Sequence, residues 1–120
     1  MPNHFKHHVG ERVSKKEALD WIRRYDEEHR KEKDKDTRSV FYGKQILQHL
    51  LDQDGCTGIT FFLGLKHSDH AQRETVQLVL VGTKEDGTLI WPDAAGKDGD
   101  GGAVDNGTIC PPYCPSNPSN

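Results

Sequence analysis

Apolar positions change their spacing midway along the chain. Between Ser14 and Tyr25 they recur every three or four residues, at Ala18, Ile22 and Tyr25, with Leu19 and Trp21 beside them. This is the one-sided stripe of an amphipathic helix. Ser14 followed by Glu17 forms a capping box, in which each side chain meets a backbone N–H that the first turn leaves free. Val13 and Ala18 stand where a hydrophobic staple closes. Past Tyr25 the stripe stops. Residues 26–36, DEEHRKEKDKD, hold six acids and four bases. Asp26–Arg30 and Glu27–Lys31 attract at helical spacing by about 0.2–0.5 kcal/mol each, whereas Glu28–Glu32 and Glu32–Asp36 repel. The expectation is a solvated, fraying helical extension.

A second helix is predicted within SVFYGKQILQHLLDQDG. Val40, Ile46, Leu47, Leu50 and Leu51 fall on one side, Phe41 and Tyr42 lead in, and Asp54-Gly55 supplies the stop. His49 lies beside this stripe as a solvent-facing or core-edge residue. The period then drops to two. Ile59, Phe61, Leu63 and Leu65 alternate with Thr60, Phe62, Gly64 and Lys66, and Val76, Leu78 and Leu80 oppose Gln77, Val79 and Val81. Such alternation predicts two half-buried strands, joined through the polar HSDHAQRE. A second hairpin turns at Asp86-Gly87 into a third strand, Leu89 to Trp91, which Pro92 ends.

The pattern therefore predicts an α+β fold: two N-terminal helices packed on a three-stranded antiparallel meander. A sheet this small needs its inner face covered, and the helical stripes are the candidates to cover it. Residues 1–12, with His4, His7 and His8, read as a flexible arm; 13–92 as the α+β domain; and 93–120 as a Gly/Asp-rich loop with a Cys/Pro tail.

Composition adds limits. With 120 residues there is room for one modest core, and a hydrophobic fraction of 32% leaves some of the chain outside it. The net charge of −3 gives no general attraction to nucleic acid. No apolar run is long enough to span a bilayer, and the first residues lack a signal-peptide pattern. Three cysteines, an odd number, favour a reducing compartment, so a cytoplasmic location is expected.

The tail, TICPPYCPSNPSN, is rich in apolar groups for a free end. We expect an irregular tail folded back on the sheet, with Ile109 and Tyr113 covering the second face around Phe62, Val79 and Val81. Three prolines reduce the entropy that docking costs. A homodimer that hides the same face is the alternative. Phe62, Val79, Val81 and Tyr113 are thus the candidate binding surface.

The cysteines leave three readings open. A polyproline-like CPPYC would hold Cys110 and Cys114 about 12 Å apart, beyond the reach of a disulfide unless a turn or a cis peptide intervenes. Free thiols on an anchored tail are the expected state, ahead of a disulfide among Cys56, Cys110 and Cys114. Zinc on Cys110, Cys114, His67 and His70 comes last. The donors are dispersed, and Cys56 and His67 would stand about 35 Å apart on an extended strand. No cofactor is expected. Asp98, Asp100 and Asp105 lack the spacing of a calcium loop, and no phosphate-binding, dinucleotide or serine-nucleophile motif is present.

The segments LLDQDGCTG, LVLVG and CPPYCP together resemble a family of small uncharacterised bacterial proteins, which share an LLxQxGCxG junction, an LVLVG strand and a C-terminal CPPxC. The resemblance spans Phe41 to Gly87 and Cys110 to Pro115. It implies a recurrent role for Cys56, Gly58, Cys110 and Cys114, and it brings no activity. The expected function is that of a small non-enzymatic binding or protein-interaction protein. The alternative is a thiol- or metal-dependent protein acting through Cys110, Cys114 and Cys56.

Overall fold

Ser14 caps the first helix as its sequence demands. Its Oγ accepts from the Glu17 backbone N–H at 3.1 Å and donates to Glu17 Oε1 at 3.2 Å. In the computed structural model, which describes residues 4–91 and 103–117, this opens α1, Lys15–His29. There follow β1 (Ser39–Phe41), α2 (Lys44–Leu51), β2 (Cys56–Ser68), β3 (Arg73–Lys84), β4 (Ala103–Val104) and β5 (Thr108–Cys110). The protein is α+β, with a three-stranded antiparallel sheet ordered β2-β3-β4 and a two-stranded ribbon of β1 and β5. Among the described residues, no helix is long and apolar enough to cross a membrane.

The chain gathers into two compact units, each assembled from three segments. The first combines residues 1–10, 42–63 and 78–107; the second combines 11–41, 64–77 and 108–120.

In the first unit the second half of β3 is the centre. Leu80, Val81, Gly82 and Thr83 are buried in succession, because β3 has a strand on either side. Leu80 pairs with Val104 and Val81 with Ala103. The turn at Asp86-Gly87 forms where the sequence placed it. Gly87 takes φ +90°, its N–H donates to Lys84 O, and Asp86 Oδ1 accepts from Thr88 N at 2.9 Å. Beyond it, Leu89 makes only a single bridge to Thr83, and the third strand of the sheet is Ala103–Val104. A two-residue strand that follows a glycine-rich stretch carries no readable alternation. Pro92, Asp98 and Asp100 lie outside the described residues.

The second helix is shorter than its stripe. Gly43 is its N-cap, so Val40 belongs to β1. Leu50 is buried, and Leu51 is exposed. Tyr42 anchors the lead-in by donating its hydroxyl proton to Leu78 O at 2.6 Å.

In the second unit β1 and β5 pair antiparallel, with Ser39 opposite Cys110, Val40 opposite Ile109 and Phe41 opposite Thr108. Each strand is three residues long, below the length at which a period of two can be read. The stripe of α1 buries none of its residues, and Trp21, Ile22 and Tyr25 stay exposed. Ala71, Thr75, Gln77, Arg30 and Cys110 are the buried residues of this unit.

The alternation left open which face is inner. Phe61, Leu63 and Leu65 on one face of β2 are 54%, 77% and 69% exposed, while Val81, expected on the second face, is fully buried. The cause is position in the sheet. The central strand is enclosed and the edge strand is not. Replacing Leu80 by alanine is therefore expected to cost about 2–5 kcal/mol, and Leu63→Ala less than about 0.5 kcal/mol, measured by urea denaturation.

Candidate functional site

An uncovered apolar run of the first unit is Phe61–Leu63 on β2. It starts from a built junction. Cys56 Sγ donates to Gly58 O at 3.1 Å, and Thr57 Oγ1 reaches Thr83 O at 3.2 Å and Phe5 O at 2.5 Å. Thr60 and Thr83 share a hydroxyl hydrogen bond of 2.6 Å. Gly82 packs closely here: a Cβ would lie 2.5 Å from Gln53 Oε1 and 3.3 Å from Cys56 Sγ, so the end of the Gln53 side chain would have to move. These contacts hold β2 against β3. From Phe61 onward the strand opens to solvent on both faces, with Phe61, Phe62 and Leu63 all exposed. Its outer edge has no strand partner among the described residues.

The second unit is organised by charge. Arg30, only 7% exposed, sends Nε to Asp36 O at 2.9 Å, one terminal nitrogen to Lys33 O at 2.7 Å and the other to Asp26 Oδ1 at 3.1 Å. Arg38 Nε meets Asp26 Oδ2 at 3.1 Å, and Arg73 meets Asp36 at 2.7 Å. Residues 30–36 are thus wrapped around a guanidinium instead of fraying as a helix. The charge pattern alone concealed this, because alternate pairings of ten charges look equivalent until one is buried. Asp36 is held below the ordinary carboxylate range, first by the hydrogen bond from the Glu32 backbone N–H and then by Arg73.

Cys110 and Cys114 form a disulfide, with Cα atoms 4.6 Å apart. This corrects the expected free thiols. The loop between them is not the extended polyproline form, and the peptide bonds before Pro111 and Pro112 are cis. Cys56 is free and half-buried in the first unit. The paired sulfurs are not thiolates, so Cys110 and Cys114 offer no zinc ligands in this state. His70 hydrogen-bonds Asp34 O at 2.8 Å, and His67 stands 3.4 Å from the exposed Asp69. Among the described residues no three His, Cys, Asp or Glu side chains converge to hold a metal ion.

The candidate binding residues differ in exposure, each within its own unit. Val81 is core, Val79 is half-buried, Phe62 is exposed on the edge strand, and Tyr113 is 72% exposed in the second unit. The tail is tied down by its backbone: Arg38 N donates to Cys110 O at 2.7 Å and Tyr113 N to Ile109 O at 3.1 Å. Phe61 and Leu63, which the sequence reading did not place among the candidate surface residues, are exposed beside Phe62. The signal was present, because Gly58 to Leu65 contains neither charge nor proline.

No protein-family model matches the chain, and the searches found no similar curated protein or solved structure.

The Asp36 contacts stabilise the ionised form, so their contribution is present in full above the ordinary aspartate range and is lost as pH falls below that range, through Asp36's own lowered one. Asp36→Asn is expected to destabilise the protein at about pH 6, and its difference from wild type to shrink as pH falls below the ordinary aspartate range, as followed by thermal melts at descending pH.

Proposed function

We propose that this is a small non-enzymatic protein that acts by protein–protein contact, with the edge of β2 and the side chains of Phe61, Phe62 and Leu63 as its contact surface. One observation carries the reading: a 13-residue strand lies at the margin of its sheet with three successive large apolar residues in solvent. Soluble proteins usually blunt such an edge with lysine, proline or a covering loop. Gly58 to Leu65 has no charged residue or proline of its own. An added strand would satisfy the unpaired backbone groups and bury the side chains, each worth about 1–2 kcal/mol at its present exposure.

The sequence of the edge favours a second copy as partner. Antiparallel pairing about Phe62 sets Phe61 opposite Leu63 of the other copy, and Lys66 opposite a glycine. Parallel pairing in register would oppose Lys66 to Lys66, a like-charge contact that costs stability. The family resemblance of the junction and tail motifs contributes no activity to this reading. A second reading, thiol chemistry at Cys110 and Cys114, is favoured by one specific observation, their pairing as a disulfide.

Light scattering after size exclusion tests the first reading. A concentration-dependent dimer is expected below about 100 µM. Leu63→Lys should weaken it at least tenfold, or by about 1.4 kcal/mol, with an unchanged circular dichroism spectrum. A wild-type monomer throughout that range would overturn self-pairing.

A further inference from the structure

We propose that the Cys110–Cys114 disulfide is a thiol–disulfide exchange site for low-molecular-weight thiols, attacked at Cys114 and released at Cys110. The inference rests on the second reading above, and it adds the substrate class and the direction of attack.

The two sulfurs sit in unlike surroundings. Cys110 is 2% exposed and is the last residue of β5, paired across the ribbon with Ser39 and tied by its carbonyl to the Arg38 N–H. Cys114 is exposed, in irregular chain past the last backbone hydrogen bond of the turn, Tyr113 N to Ile109 O. An incoming thiolate must approach along the S–S axis, and access decides which sulfur it meets. Solvent reaches Cys114.

A site for the incoming group lies beside the bond. A cavity of about 180 Å³ is lined by Ile22, Arg38, Ser39, both cysteines, Pro115 and Ser116, all in the second unit. That volume holds a thiol of a few heavy atoms, or the cysteinyl end of a larger one. Arg38 contributes a permanent positive charge at the cavity wall, although Asp26 also engages it. Positive charge lowers the free energy of a departing thiolate.

The chemistry balances without a further oxidant. A thiolate, RS⁻, forms a bond to Sγ of Cys114 while the Cys114–Cys110 bond breaks, and the electron pair leaves on Sγ of Cys110. The product is a mixed disulfide on Cys114 and a thiolate on Cys110. That thiolate either re-forms the original bond by expelling RS⁻, or remains while a second RS⁻ attacks the mixed disulfide. The second course yields RSSR and a dithiol protein: two thiols are oxidised and one disulfide is reduced.

The compartment fits. The odd cysteine count supports a cytoplasmic location as a proposal, and disulfides in that compartment are usually transient and concerned with redox chemistry.

The full-length protein is exposed briefly to reduced glutathione, quenched with acid and mapped by peptide mass spectrometry, beside the synthetic peptide TICPPYCPSN in its oxidised form. The glutathione adduct is expected on Cys114 over Cys110 by at least about fivefold in the protein, and without strong preference in the peptide. Cys110→Ser should accumulate a lasting adduct on Cys114, whereas in Cys114→Ser the Cys110 thiol should alkylate slowly. Equal labelling of both sulfurs, preference for Cys110, or a disulfide inert to glutathione that opens the peptide would overturn the proposal. A protein whose intact mass shows three thiols, about 2 Da above the disulfide form, would overturn the second reading as well. The two failures are thereby distinguished.

Discussion

The enclosure of β3 between two other strands is the constraint on which the first unit depends. A strand with neighbours on both edges satisfies its backbone groups in the ladder, and four successive positions from Leu80 to Thr83 can then leave solvent together. Alternation disappears on such a strand because neither face is wet. β2 receives the opposite treatment. It shares one ladder with β3, leaves its other edge open, and keeps apolar side chains on both faces in water. Two strands of similar composition thus acquire opposite roles from their order in the sheet.

That asymmetry explains how far the sequence could be read. The cap at Ser14, the turn at Asp86-Gly87 and the existence of α1, α2, β2 and β3 each rest on contacts within a few residues, and local pattern specifies those. Whether Phe61 and Leu63 lie inside or outside was not legible, because that depends on which strand is central. A pattern with apolar residues at both parities leaves that undecided. The β1–β5 ribbon was illegible for another reason. Three-residue strands sixty-odd positions apart carry no period, and Val40 was absorbed into the neighbouring helical stripe.

The tail shows the same limit at the level of chemistry. CPPYC stands out in the sequence, and its turned chain permits the disulfide that an extended proline-rich one would not. Tyr113 was expected to hide because it is aromatic. Instead the backbone of Ile109 and Cys110 does the holding, through strand pairing that any side chain would allow. β5 is held to β1 by backbone hydrogen bonding.

Arg30 has one more implication. Its flat fork serves three separate acceptors, two of them backbone carbonyls, from a single position. A lysine would preserve the charge of the segment and lose this geometry, because an ammonium is a compact point donor on a flexible stem. Within a stretch whose charges look freely interchangeable, one residue is spelled by shape, and the path of the chain from α1 to β1 follows from that spelling.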